Sequence, residues 1–282
     1  MGTKRPILAR RSMPALGVAA CLLGLTACRS NAPQTHWLGE LLEPIMPPTP
    51  AQAARDAFNV YDADLRRRSI ALLAASPFGG EEPYVRTYRL LIDDPDATVR
   101  AACAQALSLH GGPQDAQLII PLLRDSTAFV RWEAAKALQR IHNPEAVTPL
   151  IQALRTDEDA DVRMAAAHAL GQYAAPAVVQ ALIAALNDDH FGVAQASLAS
   201  LRTLTGQALG PDGRQWLAWA DQHAGEWFAH QRPYTYQPYY KPPGLLDKMQ
   251  FWRDHEPPAP RPPIGLDAEA VTKAAPSASH SG

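Results

Sequence analysis

The chain has 282 residues, of which 47% are hydrophobic, 19% charged and only 7% aromatic, with a formal net charge of −2. That balance excludes a fully disordered chain, and an Ala-rich, aromatic-poor body points to closely packed helices. The first 27 residues hold Lys4, Arg5, Arg10 and Arg11 and no acid. Removing these four from 26 leaves 22 basic residues against 28 acidic, a net charge of −6. Mild acidity is a poor match to general nucleic-acid binding, which relies on neutralising phosphates, so no nucleic-acid partner is expected.

In chain order, the four basic residues are followed by an apolar stretch, Met13 to Leu25. It is too short to cross a hydrocarbon core of ~30 Å as a helix and reads as the central part of a secretory signal. Leu25-Thr26-Ala27-Cys28 then resembles the bacterial lipobox, in which small residues precede a Cys. The resemblance implies diacylglycerol on the Cys28 thiol, cleavage before it and acylation of the new amino terminus. Two or more acyl chains anchor stably, where one is marginal. Arg29 stands where an Asp commonly marks inner-membrane retention in enteric bacteria, which points to the outer membrane and a periplasm-facing body. An ordinary signal peptide with a chance Cys is the alternative. Arg10-Arg11 read as n-region charge, without the downstream pattern of twin-arginine export. Cys21 lies in the segment to be removed and Cys28 carries lipid. Cys103 is then left alone, so the mature chain has no intrachain disulfide. Residues 28–50, Pro-rich and containing Trp37, read as a tether.

Self-similarity then dominates residues 51–205. Four segments align, beginning Asp96-Ala-Thr-Val-Arg, Thr127-Ala-Phe-Val-Arg, Asp159-Ala-Asp-Val-Arg and His190-Phe-Gly-Val-Ala. Their Val residues, Val99, Val130, Val162 and Val193, are spaced by 31, 32 and 31 residues. A weaker copy, Asp62-Ala-Asp-Leu-Arg, lies 34 residues earlier. Each copy reads as the second helix of a pair. Asp62, Asp96, Thr127 and Asp159 are N-cap residues, and small residues and a Leu recur at helical spacing to form one apolar face. Pro83, Pro113, Pro144 and Pro176 mark the starts of the first helices, and Pro121 and Pro149 are expected to kink them.

This pattern resembles the HEAT-like repeat first associated with phycobilisome lyases: Asp, a short loop, Val-Arg, small residues, then Ala-Leu. The resemblance implies an all-α fold, a right-handed α-solenoid of about five helix pairs whose stability comes from stacking neighbours. The first copy has Leu65 for Val, and the last has Ala194 for Arg and His190 at the cap. Both read as atypical terminal repeats.

Asp94, Asp125, Asp157 and Asp188 each sit five residues before the Val, and Arg66, Arg100, Arg131 and Arg163 directly follow the Val or Leu. A pair present in nearly every copy reads as an inter-repeat ladder, since a site needs one special copy. Phe129, Trp132, Tyr173 and Phe191 stand out among small residues and are candidates for an exposed binding surface. After the loop at Thr205–Arg214, Gln215 to about His230 reads as a helix with Trp216, Trp219, His223 and Trp227 near one face. It is a cap over the open end of the solenoid, or alternatively an aromatic recognition surface. Residues 231–256 are Pro- and Tyr-rich and read as extended, either lying across the body or binding a partner as polyproline II, with a short helix from Leu245 to Trp252. Residues 257–282 are expected to be disordered.

The sequence has no phosphate-cradling Gly loop, no His-Glu-x-x-His and no Cys cluster, and its nine His share no ligand spacing. No cofactor and no metal are expected. Cys103 aligns with Ser69, Ala134, Ala166 and Ser197 in a column of small residues, so it reads as core. The expectation is a non-enzymatic, membrane-anchored scaffold in the cell envelope that binds a protein partner. The alternative is an enzyme of the phycobilin-lyase type, or an auxiliary subunit of an envelope enzyme.

Overall fold

The computed structural model describes residues 48–238 and 257–266. The signal segment, Cys28, most of the tether and the helix expected at Leu245–Trp252 lie outside the described residues. The described residues form an α-solenoid. Its elements are α1 (Pro50–Asp56), α2 (Ala63–Ala75), α3 (Glu82–Leu90), α4 (Ala97–His110), α5 (Ala116–Ile119), α6 (Ala128–Arg140), α7 (Val147–Thr156), α8 (Ala160–Leu170), α9 (Pro176–Ala185), α10 (Phe191–Thr205) and α11 (Gly213–Gln222). The pairs are α1/α2, α3/α4, α5 with its flanking turns/α6, α7/α8 and α9/α10.

Local chemistry sets the helix starts. Thr49 closes a capping box with Gln52, and Pro50 follows at the first helical position. Asp62, Asp96 and Asp159 accept N–H bonds in the first turns of α2, α4 and α8. Thr127 departs from expectation and makes no side-chain cap; instead its own N–H donates to Asp125 Oδ1 at 2.9 Å. The two interior prolines also act differently from a simple kink. Pro121 lies in a 3₁₀ segment, Ile120–Arg124, that follows α5. Pro149 lies in the first turn of α7, directly after a 3₁₀ turn at Pro144–Ala146. In a first turn the missing N–H has no intrahelical acceptor to lose, so the cost of Pro is small there.

Second helices α2, α4, α6, α8 and α10 pack directly on one another, more closely than the first helices do. A stack whose one layer is tighter curves towards that layer, so the second helices line its inner side. The closeness follows from the small column of Ala134, Ala166 and Cys103, all fully buried. Leu107, Leu138, Leu170 and Leu201 are also fully buried, each contributing roughly 2 kcal/mol of apolar burial.

Two expectations fail at the C-terminal end. The cap helix stops at Gln222, eight residues earlier than expected. Gly225 turns the chain with φ at 91°, a conformation that carries no Cβ penalty for glycine, and Trp227 folds back so that its Nε1 donates to Ala220 O at 2.8 Å. The other failure concerns residues 257–266, which are docked rather than disordered. Tyr236 and Arg261 exchange main-chain hydrogen bonds, Ile264 N donates to Arg140 O at 2.7 Å, and His142 N donates to Ile264 O at 2.8 Å. Gly265, with φ at 85°, sits where a Cβ would lie 2.5 Å from Pro113 Cγ. Together with Tyr234 to Gln237, these residues form a strap at the C-terminal ends of α6 and α8. Proline leaves few main-chain donors to satisfy, and the remaining ones find partners on the body.

Candidate interaction surface

The most regular polar feature is a ladder of four rungs between consecutive repeats. Arg66 donates twice to Asp94, at 2.9 and 2.8 Å. Arg100 does so to Asp125 at 2.7 and 3.0 Å, Arg131 to Asp157 at 2.8 and 2.9 Å, and Arg163 to Asp188 at 2.8 and 3.0 Å. The third nitrogen is also used. Arg100, Arg131 and Arg163 reach back to the carbonyls of Asp94, Asp125 and Asp157 in their own repeats. Each guanidinium therefore clamps its own loop to the next, with the bidentate geometry that Lys could not supply. The carboxylates also accept main-chain N–H bonds two residues on. The main hydrogen-bonding groups of the rungs are thus engaged within the protein. The ladder ends at Ala194, beyond which no further repeat offers an Asp.

Several candidate aromatics are likewise committed to the body, which corrects the expectation that they are exposed. Tyr173 is 4% exposed. Its OH donates to Asn143 O at 3.0 Å and its ring stacks on His142 at 4.8 Å. Trp216 is fully buried and Trp219 nearly so. They pack edge to face at 6.0 Å, Trp216 Nε1 donates to Gly210 O at 2.8 Å, and Trp219 stacks on His223. The tryptophans of α11 thus cap the last pair through α9 and present no recognition surface.

Phe129 and Phe191 are different. Phe129 is 50% exposed and Phe191 76%. Phe129 lies 5.9 Å from the half-buried Trp132 ring, and Lys136 Nζ sits 3.7 Å above that ring. Glu133 Oε1 is 3.7 Å from Lys136 Nζ. Burial pushes the Glu133 carboxyl up, opposed by the Lys136 charge. Burial likewise pushes Lys136 down, opposed by Glu133. Both members of this pair are therefore partly desolvated. On the neighbouring helix, His168 is held below its usual value by burial.

Sequence reasoning missed Glu133, Lys136 and the docking of residues 257–266. The signal for the first two was present in the aligned copies. Glu133 stands in a column with Arg68, Ala102, Ala165 and Ala196, and Lys136 in one with Ala71, Gln105, His168 and Ala199, so only the third copy is charged at both positions. The third repeat is thus the special copy. Beside it, a groove of about 390 Å³ is bounded by Gln139, His168 and Ser200 of the body and by Tyr234 to Gln237 of the strap. Tyr234 bridges the two, accepting from Gln139 Nε2 at 3.0 Å and donating to His168 O at 2.7 Å.

Cys103 is fully buried, and burial with the nearby Asp94 charge pushes its thiol up, so it is a small core residue and a poor nucleophile. Among the described residues, no group of three or more His, Cys, Asp or Glu is placed to hold a metal ion. No described helix is long and apolar enough to cross a membrane.

A family model for HEAT repeats matches residues 51–139 and 118–202, together more than half of the chain. No curated protein sequence matches it. Solved structures similar to it include the complex of CpcE and CpcF of phycocyanin lyase from Nostoc sp. PCC7120. The identity is 20% and the TM-score 0.43, over 54% of this chain and 96% of that one. A designed armadillo repeat protein is 17% identical with a TM-score of 0.46, over 62% of this chain and 87% of that one. YibA of Escherichia coli is 17% identical with a TM-score of 0.49, over 83% of each chain.

Proposed function

We propose, from the premise that this chain belongs to the HEAT-repeat family, that it is a binding scaffold that holds a protein partner on the inner face of its solenoid. The observation that carries this reading is the contrast within that face. Among the second helices, α6 presents the half-exposed Phe129 against the partly buried Trp132 with a charged pair beside them, and α10 presents the exposed Phe191 two repeats on. Large rigid aromatics are the residues that carry most binding energy at protein interfaces, and exposing them costs a monomer solubility.

We further propose that the scaffold is a lipoprotein of the bacterial cell envelope. Support comes from the sequence: the basic start, the short apolar stretch and Leu25-Thr26-Ala27-Cys28 stand in the order that export and lipidation require. Lipid on Cys28 tethers the solenoid to the outer membrane, facing the periplasm. The protein acts without a cofactor or metal and binds no nucleic acid. Labelled palmitate should enter the native chain and not Cys28→Ser; no label in the native chain overturns the anchor. Crosslinking in cells followed by co-purification should retain a protein partner with the native chain. If neither the native form nor Cys28→Ser retains one, the scaffold reading fails.

A further inference from the structure

The exposed aromatics continue into a row that crosses three repeats. Trp132 and Met164 occupy the same register position on the adjacent helices α6 and α8, and both pack partly against the core. Met164 reaches on to α10, where its Sδ lies 3.1 Å from the position a Cβ would take on Gly192. Phe191 is the residue before it. Phe129, Trp132, Met164 and Phe191 thus all lie on the N-terminal turns of α6, α8 and α10, with Phe129 against Trp132 and Met164 beside Gly192.

The charge along this row has one sign. Arg131 and Arg163 are spent on the rungs to Asp157 and Asp188, and Lys136 is paired with Glu133. Asp161 lies one turn before Met164, is exposed, and forms no ion pair among the described residues. Glu158, whose side chain is 87% exposed, touches only the already engaged Arg131. The surface thus offers apolar contacts at both ends and, between them, Asp161, which has no ion pair among the described residues, and Glu158, which shares Arg131 with Asp157.

Adjacent helices lie ~8–10 Å apart, so Phe129 and Phe191 are separated by about 20 Å. An extended segment covers that span with about six residues. We infer that this row docks an extended polypeptide segment with apolar residues towards its ends and Arg or Lys at its centre. The flanking side chains rest on Phe129–Trp132 and on Phe191, and the central cations meet Asp161 and Glu158. This assignment rests on the scaffold reading and gives the partner a chemistry.

The test uses the full-length chain and three labelled seven-residue peptides, each with Leu at both ends and two Arg, two Gln or two Glu at the centre. By fluorescence anisotropy at low salt, the Arg peptide should bind at least about tenfold tighter than the Gln peptide, with the Glu peptide weakest, and its affinity should fall with added salt. Phe191→Ala, at an exposed position, should weaken the Arg peptide about tenfold with no change in melting temperature. Asp161→Lys should reverse the order of the Arg and Glu peptides. Equal binding of all three peptides, no measurable binding of any, or an order unchanged in Asp161→Lys overturns the assignment. A co-purified partner that excess Arg peptide does not displace overturns it too while leaving the scaffold standing. Failure to retain any partner strikes the scaffold itself.

Discussion

Two regions of this solenoid carry its conspicuous polar and aromatic side chains, and they differ in repetition. The Arg–Asp ladder recurs at four consecutive joints with nearly the same distances. The Phe129–Trp132–Lys136–Glu133 group occurs once, on the inner face of α6. Stacking repeats pose the same problem at every joint, so the residues that solve it repeat. A partner meets the stack at one place, so the residues that meet it need appear only once. On the proposed reading, regularity marks structure here, and departure from regularity marks recognition.

The ladder side of this contrast breaks most visibly at its centre. In Arg131→Ala the Asp157 carboxylate, 6% exposed as a side chain, loses its counter-ion, and stability should fall by about 3–5 kcal/mol in urea denaturation. Replacing both partners, as Arg131→Met with Asp157→Leu, should recover most of that loss. If the single variant is as stable as the parent, the rungs hold nothing. The strap comes next. Tyr234→Ala removes a buried ring and two hydrogen bonds, and should cost about 2–3 kcal/mol. Hydrogen exchange should then show lost protection at the His142 and Ile264 amides, with α4 protected as before.

Acid gives a smaller effect with a defined sign. Burial alone would push the Asp125 carboxyl up, but the Arg100 hydrogen bond, the Thr127 N–H and the charges of Arg100 and Arg131 bring it below the usual range. Hydrogen bonding to Arg163 outweighs burial and lowers Asp188 in the same way. A folded-state pKa below the unfolded value of ~3.9 contributes stability that is present above that value and lost as pH falls through the folded one. The urea midpoint should therefore drop between about pH 5 and pH 2, and less steeply in Arg163→Met, which removes one of the lowering contacts. Equal slopes would remove the ion pairs from the account. The smallest effect is expected at Ala194→Arg. It restores the repeat's signature where no following Asp exists, and should change stability by less than about 0.5 kcal/mol.

The same contrast explains what could be read from the sequence. The period, the helix pairs and the Asp and Arg columns were legible because each is written several times. Asp94, Arg100, Asp125, Arg131, Asp157 and Arg163 could be assigned to an inter-repeat ladder from their recurrence, though not which Arg meets which Asp. The docking of residues 257–266 was not legible, because its partners are the main-chain groups of Arg140 and His142, which leave no mark in side-chain pattern. Pro-rich composition told that residues 257–266 are not helical but not that they dock. Periodicity put Trp216 and Trp219 on one helix face without telling whether that face is covered. Tyr173 looked exposed because it stands among small residues, yet its ring stacks on His142 and its OH donates to Asn143 O, both in the preceding repeat. Glu133 and Lys136 were legible only as departures from their columns.

The central claim, that recognition lies with the singular residues and structure with the repeated ones, meets its most direct test in one comparison. The native chain, Ala194→Arg and the double variant Phe129→Ala/Phe191→Ala are crosslinked in cells, and the partner retained by each is quantified alongside its melting temperature. The account predicts full retention by Ala194→Arg, and at least about a tenfold loss by the double variant with melting temperature unchanged. Retention by the double variant equal to the native chain would contradict it.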